Sequence, residues 1–346
     1  MAENKKMKTG LDLVRIVGML TVVFVHTFLY NGYYDVGVGN LALTLIRNFC
    51  MICVPLFMVL SGYLLKEKTI SKKYYSKIFI ILVEYIVCSF CCYVFSVAWR
   101  KAPFSIKDFF VGIFIFNDAP YSWYVNMYIG LFLIAPFLNM AYNGLKTDKQ
   151  KLIMVGTFVF LFSIVSFVNF LPKYWIGNAY PLMYYVIGLY LKDKQPKIDK
   201  LWLLAAILWL SVVQVMFQFI GEYKFITCGM PSHYSFTIVL MTICVFLLLY
   251  DINIKNIVVS NVLRRASSTS LSFFLISYIF DTLYYNLFGV IGAPIRSATL
   301  KQLYVTPLII VSSFIVAWGV NVVSKYIVSL LQKTHKKCVS KRVKLS

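Results

Sequence analysis

The amino-acid sequence predicts an all-α, polytopic integral membrane protein of about ten transmembrane helices with both termini cytoplasmic. Three observations lead there. Hydrophobic residues make up 60% of the 346 positions and charged residues only 14%, a composition foreign to water-soluble domains. Apolar runs recur along the chain, each close to the ~20 residues that a helix needs to cross the hydrocarbon core of a bilayer. Lysines and arginines concentrate in alternate connections between those runs, the bias that orients membrane proteins.

The first run, 11–29, is too long for a signal-peptide core and lacks a small-residue cleavage site, so it is read as a retained span. The next three spans are expected at 48–65, 78–98 and 122–142, four more at 152–171, 174–191, 201–220 and 234–250, and the last two at 268–289 and 303–327. With the N-terminus inside and sides alternating, 25 of the 34 lysines and arginines fall in the cytoplasm and 8 outside, and Arg15 stays within the first span. A missed span would have scrambled that bias.

Two shorter apolar stretches, 104–116 and 252–265, cannot span and are read as interfacial helices on the external and cytoplasmic sides. Residues 1–330 form one transmembrane domain, and 331–346 is a basic cytoplasmic tail, polar and without apolar period, expected to be disordered against anionic headgroups. The formal charge of +21 does not indicate nucleic acid, because the basic residues are dispersed over short loops instead of forming one aromatic-interleaved patch. Cys50 and Cys53 have metal-site spacing but no second pair or nearby histidine, so no metal is expected.

The first span carries the chemistry-bearing residues that lipid tolerates least. Arg15 and His26 lie eleven residues apart, which on a helix returns them to one face within roughly 20° and separates them by about 16 Å. Asp12, one turn before Arg15, is placed to pair with it. Other readings stay open: an arginine near a helix end can snorkel, and a membrane histidine can serve interhelical packing. Glu84 and Asp281 are the remaining carboxylates within spans, and either can pair with Arg15 or a loop lysine. Ser61-Gly62 and Gly188 permit close backbone approach, and Trp123-Tyr124 opens the fourth span at the level of interfacial aromatics. His233, in an external loop, is read either as an acceptor contact or as an exposed histidine without a role.

Taken in order, these landmarks resemble a known family. Leu11-Asp12-x-x-Arg15, ten residues and then His26 is similar to the signature of the membrane-bound acyltransferase-3 family. PLFMVLSGYLL at 55–65, a basic cluster from Lys72 to Lys77, SWYV at 122–125 and YYVIGLYL at 184–191 follow in the same order. The resemblance implies a bacterial cytoplasmic-membrane enzyme. It would move an acyl group, commonly acetyl, from cytoplasmic acetyl-CoA to a hydroxyl of a surface glycan or lipid-linked saccharide, directly or through a separate extracytoplasmic partner protein. It implies Arg15 and His26 as the essential pair.

Where the family usually shows arginines, this chain has Lys72, Lys73 and Lys77, which keep the charge for acyl-CoA phosphates but lose the bidentate fork. Where a family segment often ends in histidine, Ser277 stands, so no second histidine is assigned. On this reading Arg15 and the lysines hold the donor, Trp123 and Tyr124 meet the acceptor, and Asp12 and Glu84 give structural support. Ser61 is a substrate contact or acyl relay. His26, an imidazole of unperturbed pKa near 6.5, deprotonates the acceptor hydroxyl or carries the acyl group itself. The competing reading is a small-solute transporter with Arg15, His26, Glu84 and Asp281 as a polar relay, and a non-catalytic scaffold is the third.

Overall fold

The computed structural model describes residues 9–37, 40–168, 177, 179–220 and 232–343, and among them the elements are helical throughout. In chain order they are α1 (Thr9–Tyr30), a π turn (Tyr33–Gly37), α2 (Leu41–Cys50), α3 (Cys53–Leu65), α4 (Lys72–Arg100), α5 (Ile106–Ile115) and α6 (Trp123–Asn143). Then come α7 (Asp148–Val159), a second π turn (Phe160–Ile164), α8 (Val165–Phe167), α9 (Tyr180–Lys194), α10 (Lys200–Ile220), α11 (Phe236–Leu249), α12 (Ile257–Ser267), α13 (Ser270–Leu287) and α14 (Ile295–Val343).

Six helical stretches among the described residues are long and apolar enough to cross a membrane: Thr9–Tyr30, Leu41–Leu65, Lys72–Trp99, Trp123–Asn143, Lys200–Phe219 and Ile295–Thr334. This is a multi-pass membrane protein. The other four predicted spans fall on α7–α8, α9, α11 and α13, and the junction of the spans expected at 152–171 and 174–191 lies outside the described residues, as do the first eight.

Local chemistry sets several boundaries. Ser71 and Ser105 accept backbone N–H groups at the starts of α4 and α5, and Thr147 and Gln150 form a reciprocal capping box on α7. The span expected at 48–65 breaks at Met51 and Ile52 into α2 and α3. Pro55 lies in the first turn of α3 and has no N–H for the Met51 carbonyl four residues earlier, so the ladder cannot run through. The two interfacial stretches are the short helices α5 and α12. The tail expected to be disordered is instead helical through Val343, as the continuation of α14. Gln, Lys and Arg are good helix formers, and extending an existing helix avoids the nucleation step.

The core is organised by α3, which packs most extensively on α9 and also against α1 and α11, and by α13 against α14, α4 and α1. At the α3–α9 crossing Gly62 and Gly188 face one another: a Cβ on Gly62 would run into the Tyr185 carbonyl, and one on Gly188 into the Val59 carbonyl. The two glycines singled out separately in the sequence thus make a single close crossing. Beside it Asn139 of α6 donates to the Leu65 and Lys68 carbonyls, both at 2.7 Å, and accepts from the Tyr185 hydroxyl at 2.8 Å. It thereby ties α6 to the end of α3 and the turn that follows it.

A branched side chain at this crossing has backbone to displace, a change that costs about 1–3 kcal/mol or more. Gly188→Leu is expected to convert the purified protein from a monodisperse to an aggregated species by fluorescence-detected size exclusion, while Gly130→Leu, where the added side chain meets open space, stays monodisperse.

Candidate active site

α1 is one uninterrupted helix from Thr9 to Tyr30, so the eleven-residue spacing of Arg15 and His26 places them on one face about 16 Å apart. At the Arg15 end, Asp12 is 1% exposed. Its Oδ1 accepts from Arg15 Nη1 at 3.3 Å and from the Ser267 hydroxyl at the end of α12 at 2.5 Å. The pairing expected from sequence is present, and Ser267 is a partner that sequence distance hid. It holds the guanidinium while leaving the Arg15 side chain 26% exposed.

That exposed side borders a cavity of about 320 Å³ between α1, α3, α4, α6 and α13, lined among others by Arg15, Ser61, Glu84, Tyr124, Ser270 and Phe274. The volume is at the small end of ligand sites. Four predicted residues therefore converge on it. Glu84 does not pair with Arg15: its Oε1 accepts from the Ser272 N–H at 3.1 Å and from the Ser272 hydroxyl. It serves as a cap in trans on the first turn of α13, where an anion offsets the helix dipole. The Ser61 hydroxyl donates to the Phe57 carbonyl at 2.7 Å, a back-bond that occupies its proton. Tyr124 is packed against Phe274, with ring centroids 5.1 Å apart, instead of standing in an interfacial belt.

The remaining expectations land elsewhere. Lys72, Lys73 and Lys77 are exposed and do not line the cavity. Lys77 nevertheless lies four and seven residues before Ile81 and Glu84, which do, so it stands on the same stripe of α4 beyond the cavity. Trp123 is 43% exposed and stacks on His233 at 6.4 Å, outside the cavity lining.

His233 itself is not a free loop histidine. Its Nδ1 lies 2.9 Å from the Met51 carbonyl that Pro55 leaves open. A carbonyl only accepts, so Nδ1 carries the proton. Desolvation pushes the imidazolium down to about 4, with Arg47 adding to the effect and the Met51 carbonyl opposing it.

Beyond Phe274 the cavity face of α1 reaches His26, whose ring lies 6.2 Å from Phe274 and 4.0 Å from Tyr121 between centroids. Its Nδ1 is 3.7 Å from Oδ2 of Asp281, beyond hydrogen-bonding distance and an ion pair only when the imidazole is protonated. The Tyr121 hydroxyl donates to the same Oδ2 at 2.8 Å. Asp281 has no exposed surface. It pairs with His26, not with Arg15 or a loop lysine.

Tyr121 comes from the 116–122 connection, folded inward by the Ser122 hydroxyl donating to the Phe116 carbonyl and by Tyr85 of α4 donating to the Ile113 carbonyl at 3.0 Å. The sequence marks Asp281 as a costly carboxylate and joins it to His26 only in the transporter relay, with Arg15 or a loop lysine as its expected partner, since 255 residues separate it from His26. Tyr121, one of 25 tyrosines, carried no signal of its own.

A family model described as an acyltransferase domain, that of the acyltransferase-3 family, matches residues 8–322. The chain belongs to the acyltransferase-3 family. Membership makes it an acyltransferase acting with groups other than aminoacyl groups. No curated protein and no solved structure matches it. In this acyltransferase the Asp12–Arg15 pair, the cavity and the His26–Asp281–Tyr121 cluster follow one another along α1.

Two groups outside the spans give the fold opposing pH slopes. His233 titrates near 4 folded against 6.5 unfolded, so the unfolded state binds more protons between those values and stability falls as pH drops from 6.5 to 4. Asp118 is raised by desolvation from 3.8 to about 6, so its contribution falls as pH rises through that window. His233→Gln is therefore expected to shift the pH-dependence of Tm in detergent, losing stability less steeply than the wild type on acidification from pH 6.5 to 4.5. Parallel Tm curves would rule out the assigned proton.

Proposed function

We propose that this protein is a membrane O-acetyltransferase that moves acetyl from cytoplasmic acetyl-CoA to a hydroxyl of an extracytoplasmic glycan, in a bacterial cytoplasmic membrane with ten spans and both termini inside. The observation that carries this reading is the approach of His26 to a fully buried carboxylate, just past the Phe274 end of a cavity that begins at a held arginine. A solute relay needs ionisable groups spaced along a path; here two of the four, Asp12-held Arg15 and α13-capping Glu84, are fixed by short-range partners.

The geometry supports the following mechanism. The donor's phosphates meet Arg15, with Lys73 and Lys77 on the cavity stripe of α4 as further cations. The pantetheine arm, extended over roughly 15–20 Å, matches the Arg15-to-His26 distance. Because Nδ1 of His26 faces Asp281, Nε2 is the nitrogen free for substrate. It takes the proton of the acceptor hydroxyl as the oxygen attacks the thioester carbonyl, and returns it to the departing thiolate. Asp281 offsets the charge of the transient imidazolium, and the Tyr121 hydroxyl keeps that carboxylate in place, a bond to a charged group contributing about 1.5–3 kcal/mol. Ser61, its proton engaged with Phe57, lines the donor path as a contact and is not needed as a relay.

Ester-linked acetyl on surface glycan, measured in cells with matched membrane levels of each variant, tests the reading. His26→Ala is expected to lower transfer by about 10²-fold or more, and Asp281→Asn to lower kcat with the KM for acetyl-CoA unchanged. Acetylation that persists in His26→Ala removes the proposed base. Arg15→Lys keeps a cation beside Asp12 and is expected to raise the KM for acetyl-CoA about tenfold, ~1.4 kcal/mol, with kcat held; a fall in kcat alone would assign Arg15 to chemistry instead of donor binding.

A further inference from the structure

At the opposite end of α1 from Arg15 lies a second cavity of about 490 Å³, bordered by Tyr30, Asn31, Gly32 and Asp35 on one side and by the α13–α14 turn around Gly292 and Ala293 on the other. Its walls are fixed by buried bonds: Asn31 Nδ2 donates to Gln302 Oε1 at 3.0 Å, and Gln302 Nε2 to the Thr27 carbonyl at 2.8 Å. Its inner residue is Tyr30, one helical turn beyond His26 on the same face of α1. The Tyr30 ring packs on Tyr285 with centroids 4.7 Å apart, and its hydroxyl lies beside Tyr121, Thr282 and Asp281.

Near Tyr30 sit three buried polar atoms: Asp281 Oδ1, which has no hydrogen-bond partner among the described residues, the Thr282 hydroxyl, which faces the Tyr30 hydroxyl, and the Tyr285 hydroxyl, which faces Thr306. Such groups are destabilising unless something polar meets them. None of the three lines the Arg15 cavity.

We propose that this second cavity is the acceptor vestibule, that it takes the hydroxyl-bearing end of a saccharide that is not polyanionic, and that Tyr30 is the positioning residue at its floor. The proposal rests on the acyltransferase reading. Tyr30 offers an aromatic ring for a sugar and a hydroxyl beside Tyr121, Thr282 and Asp281, and the unpartnered Asp281 Oδ1 calls for a donor such as a sugar hydroxyl. Asp35 is the carboxylate among the lining residues, and its charge opposes a polyanion at the mouth. Donor and acceptor then approach His26 from opposite ends of α1, and the acceptor does not pass Trp123.

The test uses Ala293→Cys in the full-length protein in intact cells, treated with a bulky membrane-impermeant maleimide, with wild type carried through the same treatment to account for native cysteines. Before labelling, the variant is expected to run as a monodisperse species by fluorescence-detected size exclusion and to transfer acetyl to glycan, which establishes that it is folded and sets the rate against which labelling is read. After labelling from outside, transfer is expected to fall at least tenfold while acetyl-CoA binding in isolated membranes changes less than twofold. Tyr30→Phe, unlabelled, is expected to raise the acceptor KM severalfold with the donor KM unchanged. Undiminished transfer after complete labelling overturns the vestibule and leaves the acyltransferase reading standing, as does a label that reaches the introduced thiol only from the cytoplasmic face. Absence of transfer by untreated wild type on every saccharide offered overturns the acyltransferase reading and the vestibule with it.

Discussion

A carboxylate with no exposed surface, inside a bundle surrounded by lipid, is the constraint on which the rest of this structure depends. An ion taken out of water loses several kcal/mol of solvation even after local relaxation, so Asp281 requires partners. One is the Tyr121 hydroxyl, and the other is the imidazole of His26. Supplying Tyr121 requires the chain after α5 to turn inward, which in turn requires α5 to be pinned to α4 by Tyr85 and the turn to be closed by Ser122. Holding Asp281 at the right depth requires α13 to start where Glu84 caps it. Features that look unrelated along the chain are thus consequences of one buried charge.

α1 acts as the ruler between the two ends of the site. Its first turn is tied to the α11–α12 connection: Thr9 donates to the Ile252 carbonyl and accepts from the Ile254 N–H, and Gly10 donates to the same carbonyl. Its last turn is tied to α14 through Gln302. With both ends anchored and no break between, the separation of Arg15 and His26 is set by helix rise alone. A site built on a rigid element holds its geometry more closely than one built on loops.

Much of this was legible in the sequence for reasons that can be stated. Apolar runs of membrane length mark helices because lipid leaves the backbone no other partner, and Arg15, His26, Asp12 and Glu84 stand out because charge in such runs is costly. What could not be read were facts of tertiary geometry. Glu84 was visible, yet that it caps α13 depends on which helix crosses α4. Asp281 was visible, yet its pairing with His26 depends on a contact across 255 residues. The Met51–Ile52 break was legible in principle from Pro55, whereas the use of the freed carbonyl by His233 was not. The helical end of α14 shows the opposite error: polarity was read as disorder, although polar residues extend a helix readily once it exists.

The placement of aromatic side chains around His26 bears on a demand that any two-sided membrane reaction faces. If one continuous aqueous path joined the donor and acceptor compartments, the membrane would leak and the thioester would meet water before the acceptor. Along α1 the Arg15 cavity ends at Phe274, and the second cavity ends at Tyr30 packed on Tyr285. His26 lies between them, its ring against Tyr121. Where these rings exclude water, the attraction between an imidazolium and Asp281 is stronger than that of the same pair in water. Excluding water also keeps the hydroxyl of a bound acceptor as the nucleophile near Nε2. On the acyltransferase reading, the aromatic packing that divides the two cavities and the buried carboxylate between them therefore serve one requirement: chemistry at a point that neither compartment floods.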